Sequence, residues 1–188
     1  QFMPETARQY GLEVSNGIDE RYHIEKSTEA ACRYLKDAYD RFGDWPTVAA
    51  SYNAGMQRIS SEQAMQQADG FFDMLVFDET SRYVFRILAI KEILRHPQKY
   101  GFYIRREHLY PPIGFTEVTV TGPVESWAEF AKSHGITYAQ LKDFNVWIRG
   151  NILENVDGKT YVVRIPRKED LTFDAKKIKV YQKNWVTD

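Results

Sequence analysis

Ser51-Tyr52-Asn53-Ala54-Gly55 is the stretch on which the reading of this chain turns. A helical segment opens near Pro46, carries Val48, Ala49 and Tyr52, and meets a stop at Gly55, because glycine readily takes the left-handed backbone that ends a helix. A tyrosine in the last turn of such a helix can be a half-buried core residue or can turn its hydroxyl to a cleft. Asn53-Ala54-Gly55 serves as a helix stop under either reading.

Working outward, the preceding sequence is helical in pattern. Pro4 suits the first turn of a short helix through Tyr10, closed by Gly11. A second helix follows Ser27, with Ala31, Tyr34, Leu35, Ala38 and Phe42 as its apolar stripe and Gly43 as its stop. The single cysteine, Cys32, excludes an intrachain disulfide and reads as a small buried residue. Beyond Gly55, the polar run Ser60 to Gln67 predicts an exposed helix. Asp78 is placed to N-cap a long helix whose apolar face uses Val84, Ile87, Leu88 and Leu94, with Pro97 just past its end.

The pattern changes after Tyr110-Pro111-Pro112, where two prolines favour an extended connection and mark a domain boundary. Thr116 to Thr121 is β-branched and alternating, as in a strand. Ser126-x-x-Glu129 and Thr137-x-x-Gln140 each open a short helix with a capping box, and Gly135 separates the two. Tyr161 to Ile165 reads as a second strand stopped by Pro166. The charged tail 167–188 holds one further candidate strand, Ile178 to Tyr181. The expected fold class is therefore α+β, mainly α: a helical domain over 1–110, a β-α-α-β module over 116–166, and a tail over 167–188.

Composition narrows the function. With 43% hydrophobic and 27% charged residues, the 188-residue chain has enough apolar content for a packed core. A formal net charge of -1 argues against a nucleic-acid partner, which needs a basic surface to neutralise phosphates. No apolar run approaches the roughly 20 residues of a membrane span. The four histidines, His23, His96, His108 and His134, lack ligand spacing, so no metal site and no cofactor are expected.

Three segments, taken together and in order, carry a resemblance: Gln1-Phe2-Met3-Pro4, Ser51-Tyr52-Asn53-Ala54-Gly55 and Glu79-Thr80-Ser81-Arg82-Tyr83-Val84, supported by Lys26-Ser27-Thr28-Glu29-Ala30-Ala31 and Gly43-Asp44-Trp45. The first hundred residues resemble the soluble lytic transglycosylase family, most closely its membrane-bound lytic murein transglycosylase D branch. The resemblance implies a lysozyme-like helical domain that cleaves the glycan strand of peptidoglycan. In that family one Glu acts first as acid to the leaving oxygen and then as base. The substrate's N-acetyl group supports the developing positive charge, and the muramic 6-hydroxyl closes a 1,6-anhydro end. Most glycosidases use two carboxylates instead.

The family's acid lies in a Glu-Ser helix ahead of the Gln-Phe-Met-Pro segment, so the chain is expected to lack it. By the same resemblance Tyr52 supports that Glu, while Gln1, Met3, Asn53, Glu79 and Tyr83 bind substrate, and Gly55 lets the backbone turn close to the glycan. Glu79 and Tyr83, four residues apart on a helix, share one face. Two departures stand out: Ser51 where the family usually has Ala, and Ser81 where it usually has Arg.

The second module resembles LysM, a glycan-binding family, through Trp127 to Asn145 and Tyr161-Val162-Val163-Arg164-Ile165-Pro166. The usual Gly-Asp-Thr before the first helix is replaced by Gly122-Pro123-Val124-Glu125-Ser126. The implied partner is peptidoglycan glycan strand, in the periplasm or cell envelope, with outer-membrane association of the parent protein. A non-catalytic peptidoglycan-binding or scaffold protein with a retained cleft is one alternative, and a helical protein adaptor is another. Loss of the acid-bearing helix would expose apolar surface, so a homodimer or a partner fragment is also expected.

Overall fold

In the computed structural model, which describes residues 1–181 and 183–187, the helices run in the order α1 Pro4–Gln9, α2 Ile24–Phe42, α3 Trp45–Ala54, α4 Met56–Gln66 and α5 Asp78–Arg95. Strand β1 Phe115–Val120, helices α6 Trp127–Ser133 and α7 Tyr138–Phe144, and strand β2 Tyr161–Pro166 follow. The mainly helical α+β class and the β-α-α-β order agree with the sequence pattern. The chain forms two compact units, Gln1–Thr28 with Ile104–Asp188, and Glu29–Tyr103. Compactness thus groups the first 28 residues with the C-terminal module, whereas the family pattern groups them with the helices after them.

Glu29–Tyr103 is built around α3. Asp44 caps this helix by accepting from the Thr47 N–H at 2.9 Å. Thr47 Oγ1 in turn accepts from the Phe71 N–H at 2.9 Å in a buried site, which fixes the loop before α5 against α3. Ala50, Ile59, Phe71, Met74 and Val84 close the core.

Several details depart from the sequence pattern in this unit. Helix α2 starts at Ile24 rather than after Ser27. It buries Ala30, Tyr34 and Ala38, while Ala31, Leu35 and Phe42 lie only half-buried. Cys32 is exposed, not buried: it lies two residues from both Ala30 and Tyr34, roughly 200° round the helix from each. Helix α4 begins at Met56, ahead of the expected Ser60, and buries Ile59. Asp78 is the first residue of α5 and not its cap, a position taken by Phe77; its carboxylate instead faces Arg82 one turn on at 3.8 Å. Of the expected α5 face only Val84 is buried, joined by Thr80; Ile87, Leu88 and Leu94 are exposed.

The other unit has a two-stranded antiparallel sheet in which Phe115 faces Pro166 and Val120 faces Tyr161. Tyr161, Val163 and Ile165 alternate inward, as a half-buried strand requires. They pack on Trp127, Leu141, Trp147 and Ile148. Thr137 and Gln140 close a reciprocal capping box, and Ser126 accepts from the Glu129 N–H at 3.2 Å. Gly135, with φ at +72°, makes the turn between α6 and α7. A segment from the far end of the chain completes this core. Ile18 is almost wholly buried in it and bridges Ile148 across the backbone.

No strand forms at Ile178 to Tyr181: β2 ends at Pro166, and Ile178 is held by burial after a single 3-10 turn at Ala175–Lys177. Within the expected tail 167–188, positions 182 and 188 lie outside the described residues.

Candidate functional site

Six side chains were expected to form the glycan site. Gln1 and Met3 precede α1 in one unit, and both are exposed. Between them Phe2 turns inward and stacks on Tyr10 at 5.8 Å, so the alternation of an extended segment presents Gln1 and Met3 outward. Pro4 at the first helical position and the Ala7 N–H, which donates to the Met3 carbonyl at 2.9 Å, fix where this segment ends.

Tyr52, Asn53, Glu79 and Tyr83 belong to the other unit, on α3 and α5. Tyr52 lies half-buried, its ring meeting Tyr34 edge-on at 5.4 Å. Tyr34 is anchored by donating its hydroxyl to the Ser51 carbonyl at 2.7 Å. Burial raises the Tyr52 hydroxyl above the ordinary tyrosine range, and the neighbouring Tyr83 adds to the shift. Burial raises Tyr83 as well. Both phenols therefore stay protonated at neutral pH and can donate hydrogen bonds. Asn53 Oδ1 accepts from Thr80 Oγ1 at 2.9 Å, tying the end of α3 to the first turn of α5. Gly55, at φ +94°, both ends α3 and precedes α4, a backbone that favours glycine. The structure thus brings Tyr52, Asn53 and Tyr83 together. Glu79 sits on the same helix as Tyr83 but is exposed.

The carboxylates limit what this arrangement can do chemically. Among the described residues only Asp19 and Glu20 are buried carboxylates. Asp19 receives a two-pronged bond from the Arg21 guanidinium, at 2.9 and 2.7 Å, which pulls its carboxyl below the usual range. Glu20 accepts from the Glu13 N–H at 2.8 Å and pairs with Lys26. A general acid needs an apolar setting that keeps its proton on, and the Arg21 guanidinium beside Asp19 favours the charged form instead. Among the described residues no cluster of His, Cys, Asp and Glu could hold a metal ion.

Sequence reasoning missed Asp19 and Arg21, and also Asn145. The first two stand two apart in an ordinary polar run, and nothing local marks them as buried. Asn145 ends a helical pattern in the sequence. Its amide donates to the Leu141 and Arg164 carbonyls at 2.9 and 2.8 Å and accepts from the Arg164 N–H at 2.8 Å.

Comparison with known proteins gives two family matches. Residues 1–74 match the transglycosylase SLT domain, and residues 116–169 match the soluble lytic transglycosylase C-terminal LysM-like domain. The chain is similar to membrane-bound lytic murein transglycosylase D of Escherichia coli K12 and of Escherichia coli O6:H1, 32% identical to each over 173 residues. That alignment covers 89% of this chain and 37% of each relative, so the chain spans a little over a third of their length.

Proposed function

We propose, from the premise that this chain carries a transglycosylase SLT domain followed by a LysM-like domain, that it is part of a peptidoglycan lytic transglycosylase acting in cell-wall turnover. The observation that carries the reading is the grouping of Tyr52, Asn53 and Tyr83 at the meeting of α3 and α5 within a chain of this family pattern. A glutamic acid from a segment ahead of Gln1-Phe2-Met3-Pro4 protonates the glycosidic oxygen as the bond to the muramic C1 breaks. The same carboxylate then takes the proton of the 6-hydroxyl as that oxygen attacks C1, giving the 1,6-anhydro end without water. Tyr52 supports that Glu; Asn53, Glu79 and Tyr83 in its unit bind substrate, and so, in the other unit, do Gln1 and Met3. The relatives' printed names place them at a membrane and on murein, which supports a cell-envelope location, periplasmic and outer-membrane-associated. No helix of the described residues is long and apolar enough to cross a membrane.

Residues 1–188 alone are expected to release no anhydro-muropeptides from purified murein sacculi, because their buried carboxylates are committed to cations. Mass spectrometry of the supernatant reads the outcome. Release above a protein-free control would overturn the assignment and make Glu79 the candidate acid.

Exposed apolar side chains along α5 support association as a further part of this reading. Phe85, Leu88, Ile90 and Leu94 are each about half exposed. Apolar surface of this kind is covered by a second copy or by a partner fragment. Light scattering at high concentration is expected to give a mass above the 22.0 kDa monomer. A clean monomer with a cooperative melt contradicts it.

A further inference from the structure

The segment between α1 and α2 belongs physically to the C-terminal module. The Asp19 N–H donates to the Trp147 carbonyl at 2.8 Å, and the Arg149 and Gly150 N–H groups donate to the Gly17 carbonyl at 2.8 and 3.0 Å. Ile18, between them, is a core residue of the module. Side chains add to the seam: the Arg149 guanidinium lies over the Tyr22 ring at 4.7 Å, and Arg164 pairs with Glu25 at 2.7 Å.

Arg21 reaches from this seam in the other direction. Its Nη1 donates to the Phe2 carbonyl at 3.0 Å, while its Nε and Nη2 are held by the buried Asp19 carboxylate. The Phe2 carbonyl is the backbone midpoint of Gln1-Phe2-Met3. A guanidinium fixed on two of its edges is a rigid strut, because a planar fork locked by a carboxylate has little freedom left.

We propose that Arg21 is a positioning residue for the glycan path: it holds the Gln1–Met3 segment in place, anchored by Asp19, whose backbone N–H bonds to Trp147 of the LysM-like module. The module then acts on the Gln1–Met3 segment through the chain as well as through any glycan it binds itself. This rests on the reading of Gln1 and Met3 as glycan-contacting residues.

The test uses the 188-residue chain and a GlcNAc–MurNAc tetrasaccharide without stem peptides, with binding measured by calorimetry. Gln1→Ala in the native background reads the underlying assignment, and a loss of affinity is expected. Arg21→Met keeps the side-chain stem and removes the strut. It is expected to weaken binding roughly tenfold, the scale of one lost hydrogen bond from a charged donor. In the Arg21→Met background Gln1→Ala is expected to cost little more, because Gln1 is already out of place; a purely structural role for Arg21 gives no such coupling. If Arg21→Met leaves Asp19 stranded and the chain misfolds, Asp19→Asn with Arg21→Met removes the buried charge and repeats the measurement. Native affinity in the Arg21 variants, or losses that multiply independently, overturn the proposal. Unchanged binding by Gln1→Ala alone overturns the groove assignment, and the positioning claim falls with it.

Discussion

Asn145→Ala is expected to destabilise the C-terminal module by about 2–4 kcal/mol, the largest stability effect of any single polar substitution in it. Asn145 is fully buried, and its amide replaces a missing strand. Strand β2 pairs with β1, yet the Arg164 N–H and carbonyl bond to Asn145 instead. The same amide also caps the Leu141 carbonyl at the end of α7. Truncation strands the part-buried N–H and carbonyl of Arg164 together, each costing about 1–3 kcal/mol when left unpaired. Water entering the small cavity recovers part of that, which sets the lower figure. For a unit of this size the melting temperature should fall by roughly 10 °C or more. Thermal unfolding followed by circular dichroism reads the difference, and a drop of no more than about 2 °C would show that β2 does not depend on this amide.

What could be read from the sequence was local. The helix starting at Pro4, the stop at Gly55, the Thr137 and Gln140 box and the alternating Tyr161 to Ile165 strand each rest on residues within one or two turns of one another, and each formed as expected. The failures have one physical root. Ile18 is an ordinary apolar residue in a loop until Ile148, 130 positions away, covers it. Glu13 gives no sign in sequence that Lys159 and Tyr161 both bond to it at 3.0 Å. The α5 face fails in the opposite sense: its apolar spacing is real, but spacing says which residues share a face and not what lies against it. Tyr52, Asn53 and Tyr83 were legible only as members of an ordered family pattern, and it took the α3 to α5 bond through Thr80 to show them as neighbours.

Under the proposed transglycosylase function, Tyr52→Phe is expected to lower turnover by tenfold to a hundredfold while leaving stability almost unchanged. The substitution deletes one oxygen and keeps the ring. The ring keeps its edge-on packing against Tyr34 at 5.4 Å in the variant, so the melting temperature should move little. The hydroxyl carries the expected effect. The phenol is protonated at neutral pH, burial and Tyr83 only raise it further, and a protonated phenol in a partly desolvated setting can donate to a carboxylate. In the proposed reaction the Glu changes from acid to base within one turnover. A fixed donor favours the charged form that exists after the first proton transfer. Removing a hydrogen bond to a charged group costs about 1.5–3 kcal/mol. If all of that is felt in the transition state, the rate falls on the order of tenfold to a hundredfold. The loss should appear in turnover more than in KM, because the ground state holds a neutral acid that needs the donor less. The assay compares anhydro-muropeptide release and thermal unfolding for Tyr52→Phe in the full-length protein. Unchanged turnover returns Tyr52 to the status of a core tyrosine, and a large loss of stability with unchanged specific activity does so more firmly, since then the hydroxyl would serve the fold and not the acid.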